Sequence, residues 1–387
     1  MIPYSIYLHI PFCHHRCGYC DFNTYAGLDD LIPDYTRALE REIRSYPSIP
    51  VHTIFFGGGT PSLLAPSSID RLLKALQETF DILPNAEITL EANPGTLSKN
   101  YLKALRTAGV NRLSLGMQSS HPQELAILER SHSMVDVFNA VDWARYANID
   151  NLSLDLIYGL PYQNIDLWAA TLTQALEFFP EHLSLYALTL EHGTPLKQQV
   201  ARGKLPDPDP DLAASMYELA AAKLSSAGYQ QYEISNWAKT PVDVWGSQHN
   251  LQYWRNLPYL GLGAGAHGFA EGSRTVNVLS PQTYINRLKE RNSDRALIFP
   301  RSQATISITP VDKETEIGET MMMGLRLTHE GVSAEAFKAR FNQSLQDVFG
   351  DEIKKLIGLE LLTWKDQALC LTPRGRLLGN QVFMHFV

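Results

Sequence analysis

Alternating apolar and polar residues open the chain, with Tyr4, Ile6, Leu8 and Ile10 on one side and Ser5, Tyr7 and His9 on the other. That is the period of a half-buried strand. Tyr35, Leu39 and Ile43 then recur at helical spacing, and Val51-His-Thr-Ile-Phe-Phe56 reads as a buried strand running into Gly57-Gly-Gly-Thr-Pro61. The strand-then-helix pattern continues. Residues 86–91 precede a helix marked by Leu97, Leu102 and Leu105, and residues 111–116 deliver Gln118 ahead of a helical stretch carrying Arg130. Residues 151–157 place Asp155 before Gly159-Leu-Pro161, and residues 183–188 make a sixth strand. Such repetition predicts parallel pairing, because each crossover returns the next strand beside its predecessor. The expected fold is α/β, a partial (β/α)6 barrel with functional residues gathered at the carboxyl ends of its strands.

Beyond the sixth strand, Arg202-Gly-Lys-Leu-Pro-Asp-Pro-Asp-Pro210 reads as a surface crossing. A helix with Met216, Leu219, Ala220 and Leu224 follows and stops at Gly228. From Lys313 the chain turns helical again, with Met321, Met322, Leu325 and Leu327 on one buried face and Phe337, Phe341 and Leu345 on another. Residues 358–364 and 368–372 suggest the small sheet of an α+β winged-helix-like domain. The expected domains are therefore 1–235 (barrel), 236–312 (connecting region) and 313–387 (carboxyl-terminal domain).

Composition narrows the partners. The 387 residues, 44% hydrophobic, can bury a large core, and the net charge of −8 comes without a strong basic block. Acidic and basic residues nearly balance in 313–387, so nucleic acid is not an expected partner despite the winged-helix-like pattern. No basic-then-apolar leader and no run of about 18 apolar residues is present, so a cytoplasmic protein is expected.

Three of the four cysteines, Cys13, Cys17 and Cys20, fall in the loop after the first strand. They cannot make a disulfide scaffold for a chain this long. Thiolates are soft ligands, and closely spaced cysteines in a loop hold iron–sulfur clusters. The C-x3-C-x2-C spacing has no second pair to close a zinc cage, although His14 and His15 keep zinc open as an alternative. Cys370 reads as an inert core thiol.

C-x3-C-x2-C with an aromatic, Tyr19, before its last cysteine resembles the radical S-adenosylmethionine superfamily. His9-Ile-Pro-Phe-Cys13 is similar to the branch containing the anaerobic coproporphyrinogen III oxidases and related haem chaperones. The resemblance implies a [4Fe-4S] cluster on Cys13, Cys17 and Cys20, with the remaining iron taking the amino and carboxylate groups of S-adenosylmethionine. On their own, Gly57, Gly58, Gly59 and Thr60 read equally as a tight strand-to-helix turn; the resemblance implies contact with the methionyl amino group. Glu91, Gln118, Arg130 and Asp155 match positions that contact the cofactor, near its ribose. Tyr7 and Ala187 match positions that approach it, while Tyr7 could also pack beneath the loop and Ala187 could belong to the core.

One later stretch bears on function. A histidine among aromatics, such as His249, is ordinarily a packed or hydrogen-bonded structural residue. The run His249-Asn250-Leu-Gln-Tyr253-Trp254, H-N-x-x-Y-W, resembles the signature that separates the haem chaperones from the oxidases, and implies haem binding by these residues with His249 foremost. The nearby run Gly261-Leu-Gly-Ala-Gly-Ala-His267 could line a flat ligand or complete the cofactor cavity. The expected function is a haem chaperone that passes haem to recipient apo-haemoproteins, respiratory ones among them, with membrane contact only through a recipient. No catalytic residue is assigned on this reading, and monomer and homodimer both stay open. The alternative is oxygen-independent coproporphyrinogen III oxidase. Such oxidases usually carry a further cysteine two positions after the third ligand, whereas Asp21-Phe22 follows Cys20 here.

Overall fold

Six strands pair in chain order, all parallel: β1 Tyr4–Ile10, β2 Pro50–Gly58, β3 Asp81–Ala92, β4 Arg112–Gln118, β5 Asn151–Tyr158 and β6 His182–Ala187. They are seen in a computed structural model that describes residues 2–289 and 298–387. Positions 290–297, within the expected connecting region, lie outside the described residues. Amphipathic helices connect the strands, including α1 Ile32–Ile43, α2 Pro66–Thr79, α3 Lys99–Ala108, α4 Met134–Tyr146 and α5 Ile165–Glu177. This is the predicted partial barrel, and it does not close. The second neighbour of β1 is not β6 but a parallel strand from far along the chain, β7 Tyr259–Leu262. Antiparallel β8 His267–Ala270 and β9 Ser273–Asn277, then β10 Thr305–Pro310, continue the sheet outward. Periodicity did not announce these four, because they are only four to six residues long.

Side chains alternate along each barrel strand. Ile6, Leu8, Ile54, Phe56, Leu90, Leu113, Leu115, Leu154 and Leu185 form the apolar, fully buried outward face under the helices. The intervening positions are polar and bond one another across the strands. Thr53 Oγ1 donates to Ser5 Oγ (2.6 Å), Ser114 Oγ to both oxygens of Asp155 (3.0 and 2.9 Å), and Ser153 Oγ pairs with His182 Nδ1 (2.8 Å). The barrel is therefore polar within and apolar without.

The described chain divides into two compact units, 1–223 with 258–309, and 224–257 with 310–387. The second contains a three-stranded antiparallel sheet, Val332–Ser333, Ala368–Leu371 and Leu362–Lys365, with helices Ala334–Phe341 and Leu345–Gly358. Its core gathers Met321, Leu325, Phe337, Phe341, Leu345 and Leu371, which is the winged-helix-like α+β domain expected. Among the described residues no helix is long and apolar enough to cross a membrane.

A single buried carboxylate ties α1 to the added strands. Glu42 Oε2 accepts from Gly263 N (2.8 Å) and Tyr284 Oη (2.6 Å), and Oε1 from Asn277 Nδ2 (2.8 Å) and Ser302 Oγ (2.6 Å). Burial pushes its pKa up while these four donors oppose the rise. An ionised carboxylate offers about four acceptor sites, so it can satisfy all four. An amide oxygen and amino group cannot, and Glu42→Gln should cost about 1–3 kcal/mol by stranding at least one buried donor. A urea midpoint unchanged from wild type would refute this.

Candidate functional site

The end of β1 is fastened to the end of β2 through the backbone. Gly59 N donates to Ile10 O and Thr60 N to Phe12 O, each at 2.8 Å. A Cβ on Gly59 would lie 2.6 Å from Phe12 O and 2.9 Å from Ile10 O, so only glycine permits this approach. The two-residue strand Phe12–Cys13 then pairs with Tyr25–Ala26, pinching the base of the cysteine loop. Asn23 holds the far side of the loop by donating to Ala264 O (3.1 Å) and Leu279 O (3.0 Å). His9 Nε2 bonds Asn23 O (2.9 Å), and Tyr7 Oη bonds His9 Nδ1 (3.0 Å).

The loop opens into a cavity of about 490 Å³. Of the residues singled out from sequence, Cys13, Cys17, Cys20, Gly58, Gly59, Thr60, Glu91, Gln118, Arg130, Asp155 and Ala187 line it. Tyr7 and Gly57 lie beneath that lining. The Tyr7 ring stacks on Phe55 with centroids 6.2 Å apart, and a Cβ on Gly57 would meet both rings. The run 261–266 does not line the cavity. Leu262 and its neighbours pair with β1, and Gly263 (φ +100°) turns so tightly that a Cβ would sit 2.6 Å from His9 O. Its glycines serve backbone packing behind the cysteine loop.

Polar contacts link the lining. Thr60 Oγ1 donates to Cys13 Sγ (3.6 Å), and Asn93 Nδ2 to Thr60 Oγ1 (3.3 Å). Arg130 Nη2 donates to Asn93 Oδ1 (2.5 Å) and Gly116 O (3.1 Å), and its Nη1 approaches Cys17 Sγ (3.8 Å). Asn93 bridges the two halves of the site and was missed in the sequence reading; its place two residues after Glu91, at a strand's end, was the available signal. Glu129 was missed too. It adopts a left-handed conformation (φ +55°), accepts from His15 Nε2 at 2.8 Å, and lies over Gly18. Nothing in its sequence context marks that geometry.

All three cysteines are free thiols. Burial raises the Cys13 pKa, and the Thr60 hydroxyl and Arg130 charge oppose the rise. Among the described residues no three His, Cys, Asp or Glu side chains surround a point where one metal ion could sit. In an iron–sulfur cluster each thiolate takes its own iron, so three cysteines on one loop can hold a cluster without converging on a single ion. Deeper in the cavity, burial and the neighbouring Asp155 raise the Glu91 pKa to about 7, against the Gly58 N–H at 3.1 Å and Arg112. Asp155 is raised as well by burial, opposed by its serine partners and Arg112. Two half-buried carboxyls in a cavity also lined by an arginine and three sulfurs make a site matched to a ligand bearing cationic and hydroxyl groups.

The four residues of the H-N-x-x-Y-W stretch belong to the second unit, on helix Gln248–Trp254, capped by Ser247 Oγ accepting from Asn250 N (3.3 Å). His249 and Tyr253, one turn apart, meet edge to face with Nε2 and Oη 2.8 Å apart. His249 is buried, whereas Asn250, Tyr253 and Trp254 are half-buried. Trp254 packs against the cluster of Tyr232, Ala238, Leu251 and Leu327.

Known proteins share this arrangement. The profile of the Radical SAM superfamily matches residues 7–175, and that of the HemN C-terminal domain matches residues 311–378. Heme chaperone HemW of Bacillus subtilis is 39% identical over 391 residues, covering 99% of each chain. Its namesake in Lactococcus lactis is 36% identical, covering 100% of this chain and 97% of the other. A mitochondrial protein of Danio rerio, radical S-adenosyl methionine domain-containing protein 1, is 34% identical over 98% of this chain and 85% of its own. Coproporphyrinogen III oxidase (HemN) from Escherichia coli, a radical SAM enzyme, superimposes with a TM-score of 0.83 at 25% identity, covering 99% of this chain and 90% of that one. Fold and sequence thus agree on a radical SAM protein of the HemN type. Within that class the chain belongs to the HemW family.

Two expectations follow for the cavity. Gly59→Ala should lower stability by about 1–3 kcal/mol, and the displaced strand should expose Cys13 to alkylation several-fold faster while leaving Cys370 unaffected. Mass-spectrometric labelling rates equal to wild type would contradict the close-approach argument. Because the Glu91 pKa is raised, the folded protein holds an extra proton between the ordinary value of 4.5 and about 7, and stability falls as pH rises through that window. Glu91→Gln, which does not titrate, should flatten the decline between about pH 5 and about pH 7.5 in thermal melts of the metal-free protein; an unchanged slope would assign the decline elsewhere.

Proposed function

We propose that this chain is a cytoplasmic haem chaperone that binds haem and passes it to recipient apo-haemoproteins, with a [4Fe-4S] cluster and S-adenosylmethionine held in the barrel. The observation that carries the reading is full-length similarity to proteins named heme chaperone HemW, in a chain that bears the H-N-x-x-Y-W helix and has Phe22 rather than a cysteine two positions after Cys20. Cys13, Cys17 and Cys20 would hold the cluster, with the Arg130 guanidinium offsetting thiolate charge beside Cys17. Gly58, Gly59 and Thr60 shape the wall toward the methionyl group, while Glu91, Gln118 and Asp155 supply acceptors and donors for the remainder of the ligand. When bound, the cluster and S-adenosylmethionine supply one-electron radical chemistry.

The haem side of the reading rests on His249. Its Nε2 is bonded to Tyr253, so iron ligation through that nitrogen exchanges a hydrogen bond for a metal bond. The second reading, oxygen-independent coproporphyrinogen III oxidase, is favoured by likeness to the Escherichia coli enzyme. Haem titration of wild type should give a Soret band that His249→Ala weakens by about tenfold or more in affinity; an unchanged titration removes His249 from the site. Anaerobic incubation of reconstituted protein with reductant, S-adenosylmethionine and coproporphyrinogen III should yield no protoporphyrinogen, and its formation would make the oxidase reading the correct one.

A further inference from the structure

Arg326, in the second unit, carries a guanidinium that the protein itself does not satisfy. Its Cζ lies 4.8 Å from the Trp254 ring centroid and 5.2 Å from that of Phe383, so the cation rests on two aromatic rings. Among the described residues it has no ion pair and donates no hydrogen bond, and its Nε is buried without an acceptor. Burial also lowers its pKa. The nearest carboxylate to influence it, Glu233, is buried and engaged elsewhere, accepting from Ser235 N at 3.1 Å and from the Asn236 side-chain amide. A second donor beside it, Trp254 Nε1, is likewise buried and without a partner.

Most buried donors in folded proteins find acceptors, and two adjacent ones left over call for an anion. A guanidinium matches a carboxylate through two parallel N–H···O bonds, and its contact with ring faces holds it flat for that purpose. Trp254 closes the H-N-x-x-Y-W stretch, so the guanidinium seated on its ring adjoins the carboxyl-terminal end of that helix. A flat macrocycle carrying carboxylates has the required chemistry.

We propose that Arg326, seated on Trp254, binds a propionate carboxylate of haem held at the 249–254 helix. The inference rests on the haem reading above and adds to it a charged contact supplied by the carboxyl-terminal domain. The competing account is that Arg326 only cements Trp254 against Phe383, and that account gives no reason for the ligand's carboxylates to matter.

The test compares haem with haem dimethyl ester, which keeps the ring and the iron but lacks the negative charges, by Soret titration of the full-length reconstituted protein. Wild type should prefer haem by about tenfold or more. Arg326→Gln should lose most of that preference while its affinity for the diester stays within about twofold of wild type, and Arg326→Lys should recover part of it. Equal binding of both porphyrins by wild type overturns the inference while leaving the haem reading intact. Equal weakening of both porphyrins in Arg326→Gln also overturns it, in favour of the cementing role. No Soret band with either porphyrin in wild type overturns the haem reading itself, and this inference with it. The wild-type comparison stands even if the variants fold poorly.

Discussion

Two backbone hydrogen bonds, Gly59 N to Ile10 O and Thr60 N to Phe12 O, decide where the cysteine loop begins. They join the ends of the first two barrel strands after the ladder between them has stopped, and they do so only because position 59 has no side chain. Cys13 is thereby held one residue past the joint, with the Thr60 hydroxyl on its sulfur. From Thr60 the contacts run through Asn93 on β3 to Arg130 and so to Cys17. The ends of three successive strands are thus coupled to two of the three thiols by groups held at fixed distances. This kind of preorganisation lets a loop bind a cofactor without first paying to order itself.

The barrel interior explains why such a joint is needed. Its inward rows are serines, threonines and charged groups rather than the packed apolar layers that fill a closed barrel. Arg112 Nε and Glu87, both buried, approach only to 3.9 Å, and neither Thr89 Oγ1 nor Arg112 Nε has a hydrogen-bond partner among the described residues. Unpaired groups of that kind cost about 1–3 kcal/mol each. With Glu91 raised by burial and by neighbouring Asp155, and Asp155 raised by burial, the interior is electrostatically strained, and the stability comes from the outward apolar face and from networks such as that of Glu42. Of these groups Glu91 and Asp155 line the cavity, and polar groups kept at such a surface at a cost in stability are a common trade between stability and function.

Sequence legibility follows the range of the interactions involved. Strands β1 to β6 were readable because alternation and helical spacing are local, and the candidate site residues came from their position near the strands' carboxyl ends together with the resemblance to the radical S-adenosylmethionine superfamily. Strand β7 was not readable, since what makes Tyr259–Leu262 a strand is β1, some 250 residues earlier in the chain. Its glycines suggested a ligand-lining loop, yet they are small because His9, Tyr35 and Asn23 press on them. The four donors on Glu42 come from segments that no pattern connects to α1. Asn93 and Glu129 were overlooked for a related reason: one acts as a bridge, the other through a left-handed backbone turn, and neither role has a sequence period.

The H-N-x-x-Y-W helix packs Trp254 against the core of its unit and pairs His249 with Tyr253. Its i, i+4 spacing makes His249 and Tyr253 neighbours on one face, so each is the other's hydrogen-bond partner as long as nothing else is bound. On the haem-chaperone reading this internal partner has a thermodynamic consequence. A haem iron ligated through His249 Nε2 would take the place of the Tyr253 hydroxyl, which could return when the haem leaves. The imidazole is never left as an unpaired buried group, so release carries no desolvation penalty at the histidine. A haem-storage site gains from the opposite arrangement, with the ring nitrogen held free for iron. A site that must give its haem to another protein gains from a ligand with somewhere else to go.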